Sequence, residues 1–171
     1  MKQVEEKEPT LEEKFRELNR EDFRELSQAP RRRSREASLM LLFAIEMGSG
    51  DWQMAQELLA ALELSDENAA FVQTLVEGVQ RQKGVLDDLL EKYARDWDVN
   101  RFAAVDKSIL RLALFELLHP IDTPASIIIN EAIELAKKFG APDSSSFVNG
   151  ILDNIYTKEL KQTEPSHDTG N

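Results

Sequence analysis

The sequence predicts an all-α fold, and three observations carry that prediction. Apolar side chains recur three and four residues apart in almost every segment between residues 31 and 160. No pair of alternating apolar and polar segments is joined by a hairpin turn. Capping residues, glycines and prolines stand at the points where the helical repeat stops. We therefore expect a bundle of helices without a sheet.

Three helices are predicted in the first half of this bundle. The apolar stripe of the first consists of Ala37, Met40, Leu41, Ala44 and Ile45. That stripe ends at Gly48, and Asp51 is suited to cap a second helix that runs to about Leu62. Ser65 or Asp66 begins the third helix.

Two more helices are predicted before residue 120. After Gly84 the apolar positions of the fourth helix are Val85, Leu86, Leu89, Leu90 and Tyr93. Asp106 opens the fifth, whose sequence SILRLALFELL is apolar on nearly all sides and stops at Pro120. A helix that is apolar all round is typical of the centre of a bundle.

The boundaries of the last two helices are marked by capping residues. Thr123 precedes Pro124, which predicts a capping hydroxyl before a proline at the first helical position, and Gly140 predicts a left-handed C-terminal cap. The isoleucines at 127–129 are too few to make this segment a strand. Asp143 and the three serines after it supply capping groups for the last helix, FVNGILDNIYTKEL.

The composition excludes several classes of protein and site. The 171 residues, 42% of them hydrophobic, are enough for one domain, but no segment approaches the roughly 18 consecutive apolar residues of a membrane span. The N-terminus has no apolar signal segment. The chain has no cysteine and two histidines, which leaves little for metal binding or acid–base catalysis. We expect a cytoplasmic protein that is not an enzyme and has no metal and no cofactor.

The charge of the chain is unevenly distributed. A net charge of −11 argues against a nucleic-acid partner, but residues 31–50 carry +2 because of four arginines, Arg31, Arg32, Arg33 and Arg35. Phe43 follows two turns later on the same predicted helix. Guanidinium groups near an aromatic ring are suited to single-stranded RNA. This spacing leaves two interpretations open, an RNA surface or a solvated helix start with Phe43 in the core.

Four motifs together resemble a known family. These are RRRSREASLMLLFAIE, DKSILRLALFEL, INEAIELAKKFG and FVNGILDNI, in this order along residues 31–160. They resemble the NusB family of bacterial transcription antitermination factors. The resemblance implies an all-helical fold of two packed subdomains, at about 31–83 and 84–160. The composition, not the resemblance, predicts a charged and flexible extension at 1–30, with an amphipathic helix through Leu11, Phe15 and Leu18 as the alternative, and a polar, disordered tail at 161–171. The resemblance also implies binding to the boxA element of ribosomal RNA transcripts together with NusE, a ribosomal protein, as part of the RNA polymerase antitermination complex.

The same resemblance assigns roles to individual residues. Arg31, Arg32, Arg33 and Arg35 match the arginine-rich RNA-binding motif. Phe43 stands where the family often has a tyrosine near the RNA, and Lys138 borders the loop that contains Asp143. That aspartate either accepts hydrogen bonds from base amino groups or caps the last helix. Asp106 matches the region that faces NusE, whereas Asn130 and Asn149 are expected to be buried hydrogen-bonding residues.

Two features leave other functions open. The acidic extension before Pro30 is longer than the motif requires, and it could compete with RNA for the arginines. The net charge of −11 also suits a protein-binding helical module, or a homodimer that hides its arginines without direct RNA binding. An RNA methyltransferase with a NusB-like domain is a weaker alternative, because it requires a second, cofactor-binding domain.

Overall fold

A computed structural model describes residues 26–49, 52–94, 98–120 and 123–161. The predictions for an extension and a tail therefore lie largely outside the described residues, which begin at Leu26 and end at Lys161. Leu26 itself is buried in the hydrophobic core. The chain is thus attached to the body of the protein four residues before the first helix begins.

The described ranges contain helices and turns and no strand, so the predicted all-α class is confirmed. The seven α-helices in these ranges are α1 (Pro30–Ala44), α2 (Trp52–Ala61), α3 (Asp66–Arg81), α4 (Lys83–Tyr93), α5 (Ala104–Leu118), α6 (Ala125–Phe139) and α7 (Ser144–Ile155). Single π-helical turns follow α1 at Ile45–Ser49 and α7 at Tyr156–Leu160. None of the helices in this part of the chain combines the length and the apolar character that crossing a bilayer requires.

Helix α5 lies at the centre of the bundle, as its sequence predicts. All ten residues from 108 to 117 are buried, including the charged Arg111 and Glu116. Helices α1, α3, α4, α6 and α7 pack around it, and α1 also packs along α3, while α6 packs along α7. Hydrogen bonds from Arg31 to Glu67 and from Arg32 to Glu131 place the N-terminus of α1 between α3 and α6.

Two of the predicted helix boundaries are confirmed. Ser65 caps α3, and its hydroxyl oxygen accepts a hydrogen bond from the backbone N–H of Asn68. Helix α5 ends at Leu118, with His119 as its C-terminal cap and Pro120 next. The isoleucine run at 127–129 is helical, as expected.

Three local predictions are wrong. Pro124 is the N-cap of α6 instead of its first helical residue, and no side chain caps that helix. Gly140 has φ −91°, so it is not a left-handed cap. A Cβ atom at this position would lie 2.5 Å from Cβ of Ser144, which means that glycine is needed for the close approach of α7. Asn130 and Asn149 are exposed, because each lies on the outer face of its helix.

Candidate nucleic-acid interface

The arginines in the first two turns of α1 contact different neighbouring helices. Pro30 stands at the first helical position, where its missing N–H costs nothing, and Ala29 caps the helix without a side-chain hydrogen bond. A helix N-terminus carries a partial positive charge, and at the start of α1 this charge adds to that of the arginines. Arg31 turns toward α3, Arg32 toward α6 and Arg35 into the core.

Arg31 lies against an aromatic ring on α3. Its guanidinium carbon is 4.1 Å from the ring centroid of Phe71, and Nη2 donates a hydrogen bond of 3.2 Å to Glu67. The Arg31 side chain is 47% exposed and that of Glu67 is 83% exposed, so solvent screens this ion pair. One face of the Arg31 guanidinium is thereby held on a ring while much of the side chain stays accessible.

Arg32 makes a two-point ion pair with Glu131 on α6. Nε lies 3.1 Å from Oε2, and Nη2 lies 2.8 Å from Oε1. The hydrogen bond and the charge of Glu131 raise the pKa of Arg32 above its ordinary value. The Arg32 side chain is 42% exposed, whereas that of Glu131 is 13% exposed. The carboxylate is therefore held by the protein, and the guanidinium reaches it from the solvent side.

Arg33 and Arg35 differ in burial. Arg33 is half-buried, and its Nη2 lies 3.5 Å from the carbonyl oxygen of Leu62. Arg35 is buried, and its guanidinium donates to both carboxylate oxygens of Glu116 on α5, at 2.8 and 2.9 Å. Its guanidinium carbon also lies 5.5 Å from the Phe71 ring centroid. To contact RNA, Arg35 would have to leave Glu116.

A cleft between α1 and α6 brings Arg32 and Lys138 together. Its volume is about 430 Å³. The residues that line this α1–α6 cleft are Ser27, Arg32, Glu36, Glu131, Glu134, Leu135, Lys137 and Lys138. Lys138 donates to Oε1 of Glu36 at 2.9 Å, and the backbone N–H of Ser27 donates to Oε2 of the same carboxylate at 2.7 Å. Glu36 thus ties α6 to the segment that precedes α1.

A second cavity, also of about 430 Å³, brings Asp106 and Asp143 together at the N-terminal ends of α5 and α7. Its other lining residues are Arg101, Phe102, Ala103, Ser146 and Phe147. Asp143 is exposed and is the N-cap residue of α7, but its side chain makes no capping hydrogen bond. Asp106 is buried, and its Oδ1 has no hydrogen-bond partner among the described residues. Such an oxygen is costly unless a donor beyond the described residues reaches it.

Comparison with known proteins identifies the family. A model of the NusB family matches residues 32–157. The chain belongs to the NusB family. Among curated relatives, the transcription antitermination protein NusB of Desulfosudis oleivorans is 40% identical over 140 residues, which cover 80% of this chain and 90% of the relative. NusB of Symbiobacterium thermophilum is 42% identical over 134 residues, which cover 73% and 88%.

Solved NusB structures have the same fold. The T. maritima NusB structure is 34% identical, with a TM-score of 0.65, and the match covers 78% of this chain and 95% of that one. A crystal structure of the antitermination factors NusB and NusE in complex with dsRNA is 21% identical, with a TM-score of 0.67, and covers 77% and 98%. The predicted NusB resemblance and its helical fold are therefore confirmed.

The structure shows which side chains contact the arginine motif, and the sequence did not indicate them. Phe71, Glu67 and Glu116 were not candidates, although Phe71 belongs to the apolar pattern of α3. Glu131 and Glu134 share a helix face in INEAIEL, and that face proves to line the α1–α6 cleft. Phe43 is half-buried on α1. The RNA-binding and partner-binding roles of all these residues remain predictions.

Proposed function

We propose that this NusB-family protein is a non-enzymatic, cytoplasmic antitermination factor that binds boxA-type RNA of ribosomal transcripts together with NusE. Membership of a family of transcription antitermination proteins supports this proposal. A related complex of lower identity was solved with NusE and dsRNA.

The observation that carries the proposal is the cluster of partly exposed arginine side chains at the N-terminus of α1. Arg31 and Arg32 are both more than 40% exposed, and Arg33 is half-buried beside them. Backbone N–H groups at a helix start and guanidinium forks both suit phosphate oxygens. A polyanion that meets this end of α1 would therefore find several donors within one helical turn.

The remaining predicted RNA residues have more specific roles in this proposal. Lys138 supplies a further positive charge at the α1–α6 cleft, and Asp143 accepts hydrogen bonds from base amino groups. Phe43 lines the path of the RNA farther along α1. Arg35 acts by anchoring α1 on α5, because its fork is saturated by Glu116.

The cavity around Asp106 is the proposed site for NusE. Asp106 Oδ1 lacks a partner among the described residues, and Phe102 and Phe147 pack edge to face beside it at a centroid distance of 5.0 Å. A donor on the partner would satisfy the oxygen, while an apolar side chain would cover the rings. RNA held by Asp143 at the rim of the same cavity would then be read jointly by both proteins.

Fluorescence anisotropy of a labelled boxA RNA tests this function. The protein is titrated alone and with NusE, at several salt concentrations, beside a scrambled RNA of the same length. Selective binding of boxA that becomes tighter with NusE is the expected result. Equal binding of both RNAs without any effect of NusE would instead favour a protein-binding module, and light scattering would then test for a homodimer.

Arginine variants test which residues form the RNA-binding surface. Arg31→Ala and Arg33→Ala should each weaken binding of both RNAs, and each should reduce the dependence of log K on log salt concentration by about 0.7 unit, the value for one phosphate contact with a single strand. Arg81→Ala is the matched control, because Arg81 lies at the other end of α3, about 15 Å along the helix from Phe71. Equal affinities of all three variants would contradict the assignment.

A further inference from the structure

The α1–α6 cleft has no net charge, although it contains three of the cations nearest the proposed RNA surface. Arg32, Lys137 and Lys138 line it together with three carboxylates, Glu36, Glu131 and Glu134. Each of these cations has a carboxylate within 3.3 Å. A phosphate group that approaches the cleft therefore meets charges that are already compensated.

The pair of Arg32 and Glu131 differs from the other ion pairs of the arginine motif. Glu131 accepts two hydrogen bonds from the Nε and Nη2 edge of the Arg32 guanidinium. A phosphate group binds arginine at the same kind of edge and with the same two-point geometry. Arg31, by contrast, has a single hydrogen bond to the highly exposed Glu67. Arg31 can exchange Glu67 for a phosphate at little cost, whereas Arg32 must give up a two-point contact.

Displacement of Glu131 has a second cost. Its side chain is only 13% exposed while the pair is formed, and its carboxylate loses both hydrogen bonds when Arg32 leaves. Glu134, one turn along α6, and Glu36 on α1 are close enough to contribute to the pKa of Arg32. A phosphate on Arg32 would then stand beside the unpaired carboxylate of Glu131, which repels it, whereas the charges of Glu134 and Glu36 are offset by Lys137 and Lys138.

We propose that Glu131 is an intramolecular competitor for RNA phosphate that withholds Arg32 and so lowers the RNA affinity of this surface. The inference rests on the proposed RNA-binding function and goes beyond it by assigning a restraining role to a residue of α6. RNA is first met by Arg31 and Arg33. Arg32 contributes only in complexes whose other contacts compensate for the opening of its pair with Glu131.

Replacement of Glu131 tests the proposal directly. Glu131→Gln should bind both boxA and scrambled RNA about three- to tenfold more tightly at low salt, since it weakens one charge-assisted two-point contact. The salt dependence should become steeper by about 0.7 unit, the value for one additional phosphate contact with a single strand. Glu134→Gln is the matched control for charge, because it removes one negative charge from the same cleft and releases the exposed Lys137, but leaves both hydrogen bonds between Arg32 and Glu131 in place.

Two further variants separate this contact from a general effect of charge. Glu131→Asp keeps the charge but shortens the side chain, so it should also bind more tightly than the wild type. In an Arg32→Ala background, Glu131→Gln should have no larger effect than Glu134→Gln. Circular dichroism melts of every variant confirm that the helical fold is retained, and Glu131→Asp provides the test if Glu131→Gln does not fold.

The results of these experiments distinguish the role proposed for Glu131 from the proposed RNA-binding function on which it rests. A gain for Glu131→Gln that Arg32→Ala abolishes supports the competitor role. If the wild type binds RNA but Glu131→Gln is no tighter than Glu134→Gln, or is weaker than the wild type, Glu131 positions Arg32 instead and the inference is overturned. If neither the wild type nor any variant binds either RNA at low salt, the proposed function is overturned together with it.

Discussion

Arg35 on α1 and Glu116 on α5 form a two-point ion pair, with N–O distances of 2.8 and 2.9 Å. Both side chains are less than a tenth exposed. The pair joins the helix that carries the arginine motif to the central helix of the bundle. It therefore sets the position from which Arg31, Arg32 and Arg33 reach the surface.

Removal of either partner of this pair should destabilise the fold strongly. Arg35→Ala and Glu116→Ala should each lower the free energy of unfolding by about 3–5 kcal/mol, because each leaves a buried charge without a partner. The apolar double variant Arg35→Met with Glu116→Leu should recover much of that loss. Urea unfolding of these proteins and of the double variant Arg35→Ala with Glu116→Ala gives the coupling energy, and single losses that simply add in that double variant would contradict a direct pair.

Phe71 should affect RNA binding through Arg31. Phe71→Leu removes the ring under the guanidinium, a contact worth about 0.5–1 kcal/mol at a partly exposed site. We expect a two- to fivefold loss of RNA affinity in anisotropy titrations, in line with that energy. Phe71→Tyr keeps a ring and should bind like the wild type. If both variants lose affinity equally, the ring is not the cause.

Gly78 of α3 should not tolerate a side chain. A Cβ atom there would lie 2.1 Å from Cζ of Phe115 on α5, so Gly78→Ala should cost about 1–3 kcal/mol of stability. Gly150 is also helical but has nothing within 4 Å, and Gly150→Ala should stabilise by about 0.5–1 kcal/mol. Thermal melts compare the two variants. Rescue of Gly78→Ala by Phe115→Leu would confirm that the aromatic ring is the obstacle.

Glu46, in the turn after α1, should give the fold an acid-sensitive contact. Burial alone raises the pKa of this carboxyl, but hydrogen bonds from Lys107 and Arg111 outweigh burial and lower the pKa to about 2. Since the pKa is lower in the folded state than its ordinary 4.5, the stabilisation is complete above about pH 5 and is lost as the pH falls toward 2. The difference corresponds to about 3 kcal/mol.

Urea unfolding at a series of pH values measures this contribution. Glu46→Gln should be less stable than the wild type at pH 7 and should lose less stability between about pH 5 and pH 2. Glu91→Gln, on the exposed face of α4, is the control and should follow the wild-type curve. Parallel curves for Glu46→Gln and the wild type would contradict the assignment.

Asp106 should matter for partner binding more than for stability. Asp106→Asn removes a buried negative charge from a carboxylate whose Oδ1 has no partner among the described residues, which should stabilise the fold. It also removes a negative charge that is favourable in the first turn of α5, which should destabilise it. These effects oppose each other, so the free energy of unfolding should change by less than about 1 kcal/mol. Binding to NusE, measured by calorimetry, should weaken about tenfold if one charge-assisted hydrogen bond is lost. Asp153→Asn, exposed on α7, should leave that affinity unchanged.

Local sequence patterns anticipated most helices because the forces that define a helix act within a few residues. The apolar face of α1, the serine cap of α3 and the predominantly apolar sequence of α5 can each be seen in a short window. The error at Pro124 shifts a helix boundary by one residue. The error at Gly140 arises because the close approach of α7, and not a left-handed backbone, requires glycine there. The division into subdomains near residue 84 stays a prediction.

The sequence by itself determined the all-helical class, the NusB family and the presence of four arginines at the start of one helix. Only the tertiary structure decided what each arginine can do. Their partners lie 36, 99 and 81 residues away along the chain for Arg31, Arg32 and Arg35. Helical periodicity orients a side chain on its own helix, but the packing of α1 against α3 and α5, and the position of α6 beside the start of α1, determine which carboxylate it meets. For that reason one motif contains an accessible arginine, a withheld one and a buried one.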